Sequence, residues 1–135
     1  MRIAVLGANG PTGRRITDQA LAAGHEVVAV TRRPGSLAAR PGLSVAVTDA
    51  TDPAAVDAAI GGTDAVLSAL GARFDPEAVT TYSASATAIT GAMVRHGVGR
   101  LLVVSSSIAD PPPVTAWRHR TRRTRSSSRS PSTAY

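Results

Sequence analysis

A glycine turn near the start limits this chain more than any other stretch. Gly7-Ala8-Asn9-Gly10-Pro11-Thr12-Gly13 lies between an apolar run, Ile3-Ala4-Val5-Leu6, and a segment of helical character from Thr12 to about Ala23. Glycine at 7 and 10 allows a tight turn and brings backbone N–H groups close to an anion. A helix starting near Thr12 points unpaired N–H groups and a partial positive charge at the same place. Gly13 lets that helix lie close on a sheet. The placement between a strand and a helix predicts a pyrophosphate cradle, the alternative being an ordinary glycine-rich connection.

The rest of the chain repeats the alternation. Arg2 to Leu6 is apolar on both faces, as in a strand covered on both sides. Gly24 stops the first helix, Glu26 to Thr31 reads as a second strand, and Ser36 to Arg40 as a short helix. A third strand covers Leu43 to Thr48. Asp52 and Pro53 then cap and open a helix that runs to Ile60, before Gly61-Gly62. Asp64 to Leu70 is a fourth strand, Pro76 to His96 the longest helix, and Arg100 to Ser105 a fifth strand. Strands and helices joined by short connections predict an α/β fold with a doubly wound parallel sheet in the order 3-2-1-4-5. Its ligand crevice lies above strands one and four, where the order reverses.

This reading gives a cofactor domain at 1–110 and a tail at 111–135. The net charge of +6 belongs to the tail: residues 1–110 hold nine arginines and nine acids, and the other six arginines follow Asp110 with no acid among them. After Pro111-Pro112-Pro113 the residues from Arg118 onward are Arg, His, Ser, Thr, Pro, Ala and Tyr, a composition that predicts disorder. A tail of this kind could bind nucleic acid or another polyanion weakly and without sequence preference, as a minor role. The absence of cysteine excludes disulfides, thiol catalysis and cysteine-ligated metal, and no clustered ligand set points to a metal. No apolar run approaches the ~18 residues of a membrane span, and the opening run is too short for a signal peptide. The expectation is a soluble cytoplasmic protein.

The end of strand two decides which dinucleotide fits. An NAD site places an acid about 20 residues after the glycines, on the adenosine ribose. Here Thr31-Arg32-Arg33 occupies that place, and a guanidinium suits a 2′-phosphate by charge-assisted hydrogen bonding. NADP(H) is therefore expected over NAD(H), unless both arginines are simply solvated. Asp49 and the backbone of Ala50 could meet an adenine edge, or Asp49 could cap a turn. Leu70-Gly71 would let the cofactor pass close to the backbone. Ser105-Ser106-Ser107 would stand at the nicotinamide end, as a carbonyl-orienting hydroxyl or as turn formers.

The segments IAVLGANGPTG, VVAVTRRP, TDATDP, DAVLSALG and HGVGRLLVVSSS resemble the atypical short-chain dehydrogenase/reductase superfamily. Within it the resemblance is to the NAD(P)H-binding, NmrA-like and biliverdin reductase B/flavin reductase-like group, over residues 1 to about 110. It implies a Rossmann fold, NADPH preference, and in many members hydride transfer to a flavin, tetrapyrrole, quinone or sugar-type carbonyl; some relatives only sense the cofactor. By position it gives Gly7, Gly10, Thr12 and Gly13, with Ala8, Asn9 and Pro11 between them, to the pyrophosphate. Arg32, flanked by Arg33, goes to the 2′-phosphate, Asp49 and Ala50 to the adenine, Leu70 and Gly71 to the neighbouring ribose, and Ser107 to the active-site hydroxyl.

Two departures stand out. Many superfamily members use a Tyr-x-x-x-Lys pair, in which lysine lowers the tyrosine pKa, and this chain has no lysine; Tyr82 is followed four positions on by Ala86. His25 and His96 stand beside glycines at helix ends, where capping or solvated roles are expected. Relatives also continue beyond strand five and build the substrate pocket there. The expectation is an incomplete C-terminal part, with a reading-frame change near Val114 to Trp117 as one explanation and strand five left as an open apolar edge.

Overall fold

The computed structural model describes residues 1–71 and 77–105, with side chains described except at 77–79. Among these residues there are five strands and three helices, with a helix between successive strands except β2 and β3: β1 (Arg2–Leu6), α1 (Pro11–Ala22), β2 (Glu26–Thr31), β3 (Leu43–Val47), α2 (Pro53–Ile60), β4 (Ala65–Ser68), α3 (Glu77–His96) and β5 (Leu101–Val103). The sheet runs β3-β2-β1-β4-β5, as the sequence predicts, and every pairing is parallel. Ile3 is level with Val27 on one side and Ala65 on the other, which makes β1 the central strand.

Strand alternation divides the interior in two. Ala4, Leu6, Val30 and Val66 face α2 and α3, where Val56, Ile60, Ala88, Ile89, Ala92 and Met93 cover them. Ile3, Val5, Val27 and Ala29 face the other way, against Ile16, Ala20 and Leu21 of α1 and Leu37 and Leu43 beyond β2. Each fully buried Val or Leu here contributes about 1.5–3 kcal/mol. At the far end of α3, Asp57 accepts from Arg95 Nε at 2.6 Å and pairs with His96 Nε2 at 3.1 Å, tying α2 to α3. These two hydrogen bonds hold the Asp57 carboxyl below the ordinary carboxylate value of 3.8. Among the described residues no helix is long and apolar enough to cross a membrane.

Three expectations are corrected. No helix forms over Ser36 to Arg40. Five residues bring too few hydrogen bonds to offset nucleation, Pro41 disfavours helical geometry at Arg40, and Gly35 sits at φ 69°. β4 is four residues rather than Asp64 to Leu70: Asp64 accepts from Arg2 N at 2.7 Å through its side chain, and beyond Ala69 the chain leaves the ladder. β5 covers only Leu101–Val103, because β4, its one partner among the described strands, has ended. Leu101, Leu102, Val103 and Val104 are 40–59% exposed, the open apolar edge that the sequence implies.

Candidate cofactor site

The carboxyl ends of β1, β2 and β4 meet where the strand order reverses. Gly7 leaves β1 at φ 73°, and a Cβ there would come within 2.6 Å of the Ala69 carbonyl oxygen. The turn is therefore seated on the end of β4, and Ala69 N donates to Leu6 O at 2.9 Å across the same junction. Gly13 serves helix packing, since its Cβ would lie 2.1 Å from Gly7 O. These two glycines are demanded by the protein itself.

Gly10 is different, and the expectation that it is needed for tight turning is corrected. It lies at φ −72° and ψ 166°, open to any residue, and an added Cβ would make only an ordinary contact 3.5 Å from Gly7 O. It is the N-cap of α1 and has no side chain to cap with. Pro11 has no N–H, and the N–H groups of Thr12 and Gly13 begin the helix without intrahelical acceptors. In α2 the same position is filled: Asp52 Oδ1 accepts from Ala54 N at 3.0 Å and Ala55 N at 3.4 Å. The start of α1 thus offers free donors and the positive end of a dipole beneath space that a side chain would take. Ala8 is fully buried, its N–H donating to Val30 O at 3.4 Å, and Asn9 is gripped by Arg14.

After β2, Thr31 Oγ1 accepts from Arg33 N at 3.2 Å and Ser36 Oγ donates to Arg33 O at 2.8 Å. The bend holds Arg32 and Arg33 at the surface, and neither guanidinium has a hydrogen-bond partner among the described residues. Asp49 Oδ1 accepts from Thr51 N at 2.9 Å and Thr51 Oγ1 at 2.8 Å, the turn-capping alternative. Those two bonds, with a smaller contribution from the Arg32 charge, hold its carboxyl below the usual range. Ala50 places its methyl in the core, Leu70 packs against that core, and Gly71 has nothing within 4 Å of an added Cβ. Ser105 is exposed just past β5, while Ser106 and Ser107 lie outside the described residues.

Arg14 escaped the sequence reading. It is in the first turn of α1, where Cβ vectors tilt back toward the N-terminus, and its guanidinium reaches the glycine turn and the loop after β2 together. The signal available was an arginine directly after the last glycine, indistinguishable in pattern from its exposed neighbour Arg15. His25 precedes β2 and His96 ends α3, both at the opposite end of the parallel strands from the glycine turn. Tyr82 is a half-exposed residue of α3, and the described residues contain no cluster of metal-ligating side chains.

A family model described as NAD(P)H-binding matches residues 7–129, reaching beyond Asp110 into the basic segment. An uncharacterized protein of Mycobacterium tuberculosis is 37% identical over 107 residues, 78% of this chain but 12% of that protein. Among solved structures, a Burkholderia pseudomallei protein is 34% identical with a TM-score of 0.64, over 78% of this chain and 48% of that one. The Bordetella bronchiseptica enzyme WbmG, solved with NAD, is 26% identical with a TM-score of 0.66, over 76% of this chain and 36% of that one. Uronate dehydrogenase from Agrobacterium tumefaciens has a TM-score of 0.70 at 22% identity, a likeness of fold, over 78% and 40% of the two chains. The chain spans less than half the length of each of these proteins.

Proposed function

Because the chain belongs to the NAD(P)H-binding family, we propose that it holds NADP(H) across the carboxyl ends of β1, β2 and β4 and serves in oxidoreductase chemistry. The observation that carries this reading is the start of α1 at Gly10, which has no side-chain cap and where an added Cβ would meet nothing nearer than Gly7 O at 3.5 Å. That cradle suits a pyrophosphate. Arg32, with Arg33 beside it, takes the adenosine 2′-phosphate, and an exposed guanidinium with no hydrogen-bond partner among the described residues supports a preference for NADP(H) over NAD(H). Asp49 and Ala50 border the adenine, and Leu70 and Gly71 the neighbouring ribose, the open space at Gly71 supporting close passage of the cofactor chain.

NADP(H), when bound, supplies the hydride. The chain's residues bind and orient it, with Ser105 and Ser106 toward the nicotinamide and Ser107 as the hydroxyl that positions a flavin, quinone or carbonyl-type acceptor. A cytoplasmic location belongs to the same proposal. Titration of NADPH fluorescence tests it. Binding is expected, with Arg32→Ala losing ~1.5–3 kcal/mol for NADPH, or ~10- to 150-fold, and little for NADH. Equal losses for both nucleotides would remove the 2′-phosphate assignment; no binding at ~1 mM would remove the function.

A second reading, a regulator that senses NADP(H) without chemistry, is favoured by the absence of any lysine to form the Tyr-x-x-x-Lys pair. Turnover of a flavin or quinone with NADPH separates the two. Polyanion binding through the arginine-rich segment is a minor third role, and deletion of residues 118–135 isolates it.

A further inference from the structure

We propose that Arg14 is a positioning residue for the adenosine half of the cofactor: it sets the spacing between the turn that takes the pyrophosphate and the loop whose arginines take the 2′-phosphate. The inference rests on the NADP(H) reading above. Arg14 Nε donates to Asn9 O at 3.0 Å, and Nη2 donates to Asn9 Oδ1 at 2.5 Å and to Ser36 O at 3.2 Å. One planar group therefore holds both the main chain and the side chain of a residue in the glycine turn, and the main chain of a residue in the loop after β2. Ser36 in turn grips Arg33 O through its hydroxyl at 2.8 Å. The connected path runs from Asn9 through Arg14 and Ser36 to the arginine pair.

The loop needs such a link. Residues 32–42 form no helix, so their position over α1 depends on Leu37, on the Arg14 contact near the start, and on an ion pair between Arg40 and Asp18 near the far end. The second link supplies a built-in control, since it ties the same loop to the same helix away from the arginine pair. A purely structural role for Arg14 predicts that breaking either link has the same consequences. A positioning role predicts that only the Arg14 link affects nucleotide discrimination. The bond pattern also separates geometry from charge, because lysine keeps the charge but cannot reproduce a fork with fixed directions.

The test measures Kd for NADPH and NADH, and the melting temperature, for the full chain and for Arg14→Ala, Arg14→Lys and Asp18→Ala. Arg14→Ala is expected to weaken NADPH ~10-fold or more and NADH by less, so that the NADPH:NADH preference falls at least ~3-fold. Arg14→Lys should recover less than half of that loss on a logarithmic scale, and Asp18→Ala should leave the preference within ~2-fold of wild type. In an Arg32→Ala background, Arg14→Ala should cause no further fall in preference, the non-additivity of two residues acting through one site. Should Arg14→Ala fail to fold, Arg14→Lys carries the test, with NADPH weakened at least ~3-fold. Unchanged affinities in Arg14→Ala, full rescue by lysine, or an equal shift in Asp18→Ala would each overturn the role while leaving the cofactor site standing. A wild-type chain that binds neither nucleotide would overturn both.

Discussion

Gly10→Asp should make this protein more stable and a much weaker binder of nucleotide. The position is already extended, at φ −72° and ψ 166°, and an added Cβ would meet nothing nearer than Gly7 O at 3.5 Å. An aspartate there can do for α1 what Asp52 does for α2, accepting from the first free N–H groups. Replacing a glycine cap by aspartate, with its favourable interaction with the helix dipole, is worth about 0.5–1.5 kcal/mol. For a domain of this size that raises the melting temperature by ~3–8 °C. On the proposed placement the same carboxylate takes the donors assigned to phosphate and faces its charge: two unit charges ~4 Å apart repel by ~4 kcal/mol near a protein surface. Even half of that weakens binding ~30-fold. Thermal melts and NADPH titrations on the same preparation read both signs. Binding within ~3-fold of wild type would mean that no phosphate sits at the start of α1. A lowered melting temperature would mean that the space above Gly10 is not open.

Gly13→Ala has the opposite signature. Its methyl would press into backbone, 2.1 Å from Gly7 O, and should cost about 2–4 kcal/mol of stability, read as a lower denaturant midpoint. Asp57 gives an acid limb: its folded pKa lies below 3.8, so its contribution is fully present above that value and is lost as pH falls through the lowered folded pKa. Wild type should therefore lose stability more steeply than Asp57→Asn in the acid range, seen as unfolding midpoints that converge as pH falls below 3.8.

The α/β alternation was legible because the apolar runs are bounded by glycines and because Asp52-Pro53 announces a helix start by local chemistry alone. Strand order followed from the short connections together with the place of the glycine turn. What stayed hidden depends on partners distant in sequence. Arg14 finds Ser36 across 22 positions, a contact that helical spacing does not encode. The three glycines of the turn look alike in sequence, yet Gly7 and Gly13 relieve clashes with backbone while Gly10 relieves none. The ends of β4 and β5 are set by where the neighbouring strand stops pairing. The short helix expected over Ser36 to Arg40 does not form, and Leu37 covers the sheet from a loop instead.

The central place of β1 has a consequence for the order in which the molecule assembles. Ile3 pairs with Val27 on one side and Val27 with Leu43, so the β1-β2-β3 half can pair before the more distant β4 joins it. The other side of β1 waits for Ala65, a much longer loop to close. On that order of assembly the glycine turn would wait for Ala69 to seat Gly7. A nucleotide that binds only the seated turn acts on the later step, favouring the closed sheet by mass action in proportion to its concentration over its Kd. In a cell the cofactor would then serve as a late folding ligand, and its depletion would show first as proteolysis of β4 and the exposed β5.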